Sequence, residues 1–176
     1  MTFWHCLIKY GMNGIGIWRP DKDFLEAVCW TLSENKDDKI LDRPFVGPLF
    51  ELENDDIDGA YYAPLTSKNK HLIEYEGSFS LGAGLGEIML GKMMYIPRKY
   101  IAPNRYKDTK TITERNALRM RQLKNKYNEL QGKALEFYNN YSPEGGGMDE
   151  IDFYFPEDAA RAYFLIDELV HRGLDK

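Results

Sequence analysis

Cysteine is scarce in this chain: Cys6 and Cys29 are the only two, far apart and with no CxxC pair. A disulfide framework and a thiolate metal site are excluded, and both thiols are expected in the core, where free cysteines mostly sit. The three histidines, His5, His71 and His171, share no HxxxH or HxH spacing, and the acidic run ENDDIDG lacks the residue order of a calcium loop. No metal site and no cofactor are predicted. No apolar run approaches the roughly 20 residues of a membrane-spanning helix, and Lys9, Arg19, Asp21 and Glu26 interrupt the start of the chain where a targeting segment would be apolar. A soluble, cytoplasmic protein with no membrane partner is expected. GMNGIG has neither the GxGxxG order nor a following GK[ST], and no GxSxG elbow occurs, which removes a nucleotide cradle and a serine hydrolase.

What is present suits a globular protein. The chain has 176 residues, 43% hydrophobic and 14% aromatic, enough for one cored domain spanning residues 1–176. Its net charge of −5 is unevenly laid out. Residues 1–91 carry 8 Lys/Arg against 15 Asp/Glu, net −7; residues 92–133 carry 12 against 3, net +9; residues 134–176 carry 3 against 10, net −7. A basic block between two acidic ones gives one face a strong positive field. A polyanion is a candidate partner, and a solvated helix is the plainer alternative.

Residues 21–32 space Phe24, Val28 and Leu32 four apart, with Leu25 and Cys29 beside them, which predicts a short amphipathic helix. PFVGPLFEL (44–52) reads as a strand with its prolines at edge or bulge positions. Asp58-Gly59 supplies a turn, and AYYAPL returns as the partner strand. A third strand is predicted over residues 86–96, after the glycine-rich SLGAGLG loop. Met120, Leu123, Tyr127, Leu130, Ala134, Phe137 and Tyr141 alternate at three and four residues, which predicts one apolar helix stripe of about six turns. Arg115, Arg119, Gln122, Lys126 and Lys133 recur on a neighbouring face of the same rod. A last helix runs from near Pro156 to near Gly173, with Ala160, Phe164, Asp167 and Val170 tracing the face expected to dock on the core.

The second strand ends in proline, leucine and then Thr66, Ser67 and Lys68, with Asn69, Lys70 and His71 next. Hydroxyls after a proline at a strand end are ordinary turn residues. They are also what metal-free RNA cleavage uses. Attack by the RNA 2′-hydroxyl needs a proton acceptor, donors for the charge that builds on the phosphoryl oxygens, and a proton for the departing 5′-oxygen. Hydroxyls and an ammonium at one strand end supply the second and third.

In order and rough spacing, RPFVGPLFEL, YYAPLTSKNKH, GEIMLGKMMYIP and RNALRMRQLKNKYNELQGKALEFYNNY resemble the ToxN/AbiQ family, the toxins of type III toxin–antitoxin systems. The pattern is a basic residue followed by Pro-Phe-hydrophobic-Gly, then an Ala-Pro-Leu-[Thr/Ser]-Ser corner with lysines after it, and it covers residues 43–141. The resemblance implies an α+β fold, a strongly twisted antiparallel sheet or partly open barrel with a MazF-like core wrapped by helices. It implies a metal-independent endoribonuclease that leaves 2′,3′-cyclic phosphate and 5′-hydroxyl ends. It also implies inhibition by a folded, repeated antitoxin RNA that the toxin processes, with several copies of each closing into a ring. Thr66 and Ser67 match the family's hydroxyl pair, and Arg43 matches the basic residue entering the first strand. The family commonly has Ser-Pro-Lys where this chain has Ser67-Lys68-Asn69-Lys70, so the catalytic lysine is Lys68 or Lys70, with Lys68 preferred. The first 18 residues match poorly, and no role is carried over to them.

On this reading Arg43, Lys70, Lys92, Arg98, Lys99, Arg115, Arg119 and Lys126 hold the RNA backbone through phosphate contacts. Phe45, Tyr61, Tyr62 and Tyr138 are either base-stacking surfaces or core. Two alternatives stand beside the nuclease: an RNA-binding module without catalysis that uses the basic 92–133 face, and a domain unrelated to nucleic acid.

Overall fold

A computed structural model describes residues 6–7, 14–29, 42–53, 55–66, 77–82, 84–103, 110–141 and 157–171. Ser67, Lys68, Lys70 and His71, the predicted helix beyond residue 29 and both thiols lie outside what is described. The elements run β1 (Cys6–Leu7), β2 (Gly16–Pro20), α1 (Lys22–Cys29), β3 (Phe45–Leu52), β4 (Gly59–Thr66), β5 (Ser78–Ser80), β6 (Glu87–Met89), β7 (Met94–Pro97), β8 (Ile101–Pro103), α2 (Lys110–Asn125), α3 (Tyr127–Tyr141) and α4 (Glu157–His171). Asp21 starts α1 as its cap: its Oδ1 accepts from the Phe24 amide at 3.0 Å and its carbonyl from the Leu25 amide at 3.0 Å.

All eight strands pair antiparallel in one open sheet, ordered β5-β6-β4-β3-β2-β8, with β7 also on β4 and β1 also on β3. The α+β class and the partly open antiparallel sheet are therefore as expected. The two central strands, β3 and β4, are buried almost continuously rather than alternately, so both of their faces are covered. α3 packs against β3, and α4 packs against β7 and α1.

The predicted strand over residues 86–96 is two strands. Ile88 of β6 pairs with Leu65 and Met94 of β7 pairs with Tyr62, so six residues on this side span three on β4. The excess is taken up by a 3-10 turn, Leu90–Lys92. A bulge in β3 follows the same logic, for Val46 pairs with Ala63 and Phe50 with Tyr61, leaving Gly47 and Pro48 in excess, joined by a cis peptide bond. Side chains satisfy the carbonyls the bulge turns out of the ladder. Trp18 Nε1 donates to the Gly47 oxygen at 2.6 Å and Gln131 Nε2 to the Leu49 oxygen at 3.0 Å.

The stripe of the long helix is buried at Leu123, Tyr127, Leu130, Ala134 and Phe137. The rod itself is divided at Lys126, although the Lys126 amide still donates to Gln122 and the Leu130 amide to Lys126. Phe45, Tyr61, Tyr62 and Tyr138 are core residues, not stacking surfaces. Tyr61 stacks on Phe50 at 4.7 Å, and Tyr138 meets both edge-on, which leaves no face for a base.

α4 docks partly through polar groups. Arg161 pairs with Asp55 and Glu157, Tyr61 donates to Glu157, and Tyr100 donates to Asp167. Ala160 is buried as predicted, but Val170 is exposed together with Leu165, Ile166 and Leu169, so the apolar side of the last two turns faces outward. Among the described residues no helix is long and apolar enough to cross a membrane.

Candidate functional site

The end of β4 is where the sheet changes character. One rung across three strands and the residue before β3 is wholly apolar: Phe79 pairs with Ile88, Ile88 with Leu65, and the Leu65 amide donates to the Pro44 carbonyl at 2.8 Å. The next rung is wholly polar. Ser80 pairs with Glu87 and Glu87 pairs with Thr66, while Arg43 immediately precedes Pro44, ahead of the start of β3. Register partners on an antiparallel ladder share a face, with Cβ atoms about 4.5–5.5 Å apart. A hydroxyl is thus set beside an acid at the point where the chain runs on into Ser67.

The groups of this rung are held from the inside. Thr66 is 3% exposed and Glu87 1%, and Ser78 Oγ donates to Glu87 Oε2 at 2.9 Å. Arg43 is half-buried, and Ser80 at the outer end is exposed, its Oγ accepting from the Gly82 amide at 3.1 Å. Gly82, Gly84 and Gly86 all have positive φ, which lets the loop between β5 and β6 turn tightly enough for the Leu81 amide to reach the Gly86 carbonyl at 3.0 Å.

The basic helix face comes to this same end of the sheet. Arg119 Nε donates to the Leu85 carbonyl at 2.8 Å, two residues before Glu87, and Lys133 Nζ lies 5.9 Å from the ring centre of Phe79, the residue before Ser80. Arg119 does not project to solvent as predicted: it is 5% exposed, with its guanidinium spent on the loop carbonyl and Asn116. Arg115, one turn earlier, is exposed, and Lys126 is half-buried at the helix junction. Lys92 closes the 3-10 turn between β6 and β7.

Arg98 and Lys99 are not brought to the corner. Pro97 pairs with Gly59 at the start of β4, about 23 Å of extended strand from Thr66. Both cations are engaged there, Arg98 with Asp58 at 2.8 Å and Lys99 with Asp167 at 2.9 Å and Glu168 at 2.8 Å. The acidic 55–58 turn and the acids of α4 sit at that end of the sheet, and they draw these cations into ion pairs.

Glu87 is the residue that the sequence reading passed over. Its signal was present: it is the only acid between residues 77 and 107, set in an Ile- and Met-rich strand. Among the described residues, no group of three or more His, Cys, Asp and Glu side chains could hold a metal ion.

No protein-family model matches the sequence, and no curated protein matches it in sequence. Solved structures do match the fold. AbiQ, a lactococcal anti-phage endoribonuclease of a type III toxin–antitoxin system, superposes with a TM-score of 0.60 at 14% identity, over 88% of this chain and 98% of that one. A chain from a study of type III systems, in which a non-coding RNA pseudoknot selectively inhibits the toxin, gives 0.57 at 18% identity over 88% and 98%. A third, from a bacterial antiviral system regulated by a processed non-coding RNA, gives 0.60 at 16% identity over 78% and 92%. The sheet that sets Thr66 beside Glu87 therefore has the ToxN/AbiQ toxin fold.

Proposed function

We propose that the chain is an endoribonuclease toxin of a type III toxin–antitoxin system that cleaves RNA without a metal. The RNA 2′-oxygen attacks the adjacent phosphorus and the bond to the 5′-oxygen breaks. The 2′-hydroxyl gives up its proton, the 5′-oxygen receives one, and a 2′,3′-cyclic phosphate and a 5′-hydroxyl remain. Ser67, helped by Thr66, donates hydrogen bonds to the scissile phosphate or relays its protons, and Lys68 stabilises its charge, with Lys70 the alternative in that role. Arg43, Lys92, Arg115 and Lys126 hold the RNA backbone, while Arg119 braces the loop beside the corner. Arg98 and Lys99, committed to acids at the far end of β4, have no part in it. A folded repeat RNA restrains the toxin, is cut by it from a precursor, and closes with it into a ring in the cytoplasm.

The observation that carries this reading is the polar rung of Ser80, Glu87 and Thr66 at the strand end leading into Ser67-Lys68, on a fold shared with an endoribonuclease. The test is cleavage of a labelled mixed RNA in excess chelator by the wild type and by Ser67→Ala. Cleavage by the wild type alone, with RNA binding retained in Ser67→Ala, supports it. Binding without cleavage by the wild type moves the assignment to a recognition module.

A further inference from the structure

The polar rung contains one charged group that the reading above leaves without a task, the carboxylate of Glu87. It lies in a strand of Ile and Met, is 1% exposed, and has register partners on both sides, Thr66 and Ser80. Desolvating a carboxylate is costly unless donors surround it. One donor is in place, for Ser78 Oγ reaches Oε2 at 2.9 Å from a site itself 8% exposed. Thr66 is equally enclosed, and a buried hydroxyl is as a rule hydrogen-bonded. An ionised carboxylate offers lone pairs only, so a hydroxyl that meets it must be the donor.

A threonine hydroxyl has one proton and two lone pairs. If the proton is committed to Glu87, the hydroxyl can no longer rotate, and its lone pairs have a fixed direction. We propose that Glu87 is a positioning residue of the corner: its buried carboxylate accepts the Thr66 hydroxyl proton in a hydrogen bond and holds Thr66 as an acceptor of fixed orientation, so that Thr66 helps Ser67 by accepting and the donor to the phosphate is Ser67. This rests on the nuclease reading for its catalytic consequence but not for the bond itself. Glu87→Gln keeps the size of the side chain but replaces a charged acceptor with a neutral amide that has one oxygen for two hydroxyls, Ser78 and Thr66, which loosens the hold on the Thr66 proton. Misdirecting a group in a site of this kind costs about 100-fold in rate.

The experiment has two arms. In the first, the Glu87 carboxyl is titrated by carbon NMR in the wild type and in Thr66→Val. Loss of a donor to the charged form raises its pKa in Thr66→Val; an unchanged value overturns the proposed bond, whether or not the chain cleaves RNA, and this arm does not depend on a Glu87 variant folding. In the second, RNA cleavage is compared for the wild type, Glu87→Gln, Thr66→Val and the double variant. The expected result is a kcat about 100-fold lower for Glu87→Gln with KM within about twofold, and a double variant no slower than Thr66→Val alone. A Glu87→Gln kcat equal to that of the wild type, or losses that multiply in the double variant, overturns the positioning role. No cleavage by the wild type overturns the nuclease reading and the catalytic consequence with it, leaving the NMR arm to decide the bond.

Discussion

Arg161 Nη1 lies 2.8 Å from Asp55 Oδ1, and the same guanidinium covers the ring of Tyr95 at 4.5 Å, so one side chain of α4 fastens that helix to the turn before β4 and to β7. The Asp55 side chain is 7% exposed, and it also accepts from the Tyr95 hydroxyl. Arg161→Met leaves a buried carboxylate without its counter-ion. The expected loss is about 3 kcal/mol of stability, read from urea denaturation. A loss under about 0.5 kcal/mol would rank the pair with exposed ion pairs instead.

The same contact sets a pH dependence. Burial alone would raise the Asp55 pKa, but the hydrogen bonds from Arg161 and Tyr95 outweigh it and hold the carboxyl below its ordinary value. Asp167 is likewise held down, by Tyr100 and then by Lys99. A carboxyl depressed in the folded state contributes stability that is complete above its unfolded pKa and is lost as pH falls through the folded one. Stability should therefore stay level on acidification until the ordinary aspartate range near 4 and decline below it. Asp55→Asn should flatten part of that decline, and a slope unchanged by Asp55→Asn would contradict the assignment.

Gln131 is buried on α3, with Nε2 donating both to the Leu49 carbonyl and to the Tyr127 hydroxyl at 2.6 Å. Gln131→Ala exposes no new surface to solvent but strands the bulge carbonyl. About 1–3 kcal/mol should be lost, with the urea slope unchanged. Equal stability of the two proteins would mean that the bulge needs no side-chain partner.

Much of the frame was legible because local pattern governs it. The β3–β4 hairpin followed from two apolar runs flanking Asp58-Gly59, and the buried stripe from Leu123 to Phe137 followed from its spacing. What was not legible depends on register between distant residues. Nothing in residues 86–96 says that β4 will meet them in two offset halves, which is what divides them into β6 and β7. In the same way Arg98 and Lys99 read as free cations until the acids at residues 58, 167 and 168 arrive beside them. Thr66 was picked out by its chemistry, whereas Glu87 stood in the sequence as a lone acid in an apolar strand and was tied to Thr66 only once the sheet had set the two side by side.

RNA binding should separate the two groups of cations. Arg115→Ala and Lys126→Ala should each weaken binding of single-stranded RNA to a similar degree across sequences, and each should reduce the slope of log affinity against log salt by about 0.7. Arg98→Ala, which removes an ion pair with Asp58 at the far end of β4, should leave that slope unchanged. The reverse pattern would put the RNA at the α4 end of the sheet.

The chemistry itself is read most directly from the ends of the fragments. A mixed RNA is incubated with the wild-type protein in excess chelator, and the termini of the products are identified by mass spectrometry and by labelling with and without phosphatase. The predicted result is 2′,3′-cyclic phosphate and 5′-hydroxyl termini, absent with Ser67→Ala and absent when the nucleotide at the cleaved bond lacks its 2′-hydroxyl. Fragments with 3′-hydroxyl and 5′-phosphate ends, or cleavage that stops when metal is chelated, would contradict a corner that acts through the RNA's own 2′-oxygen.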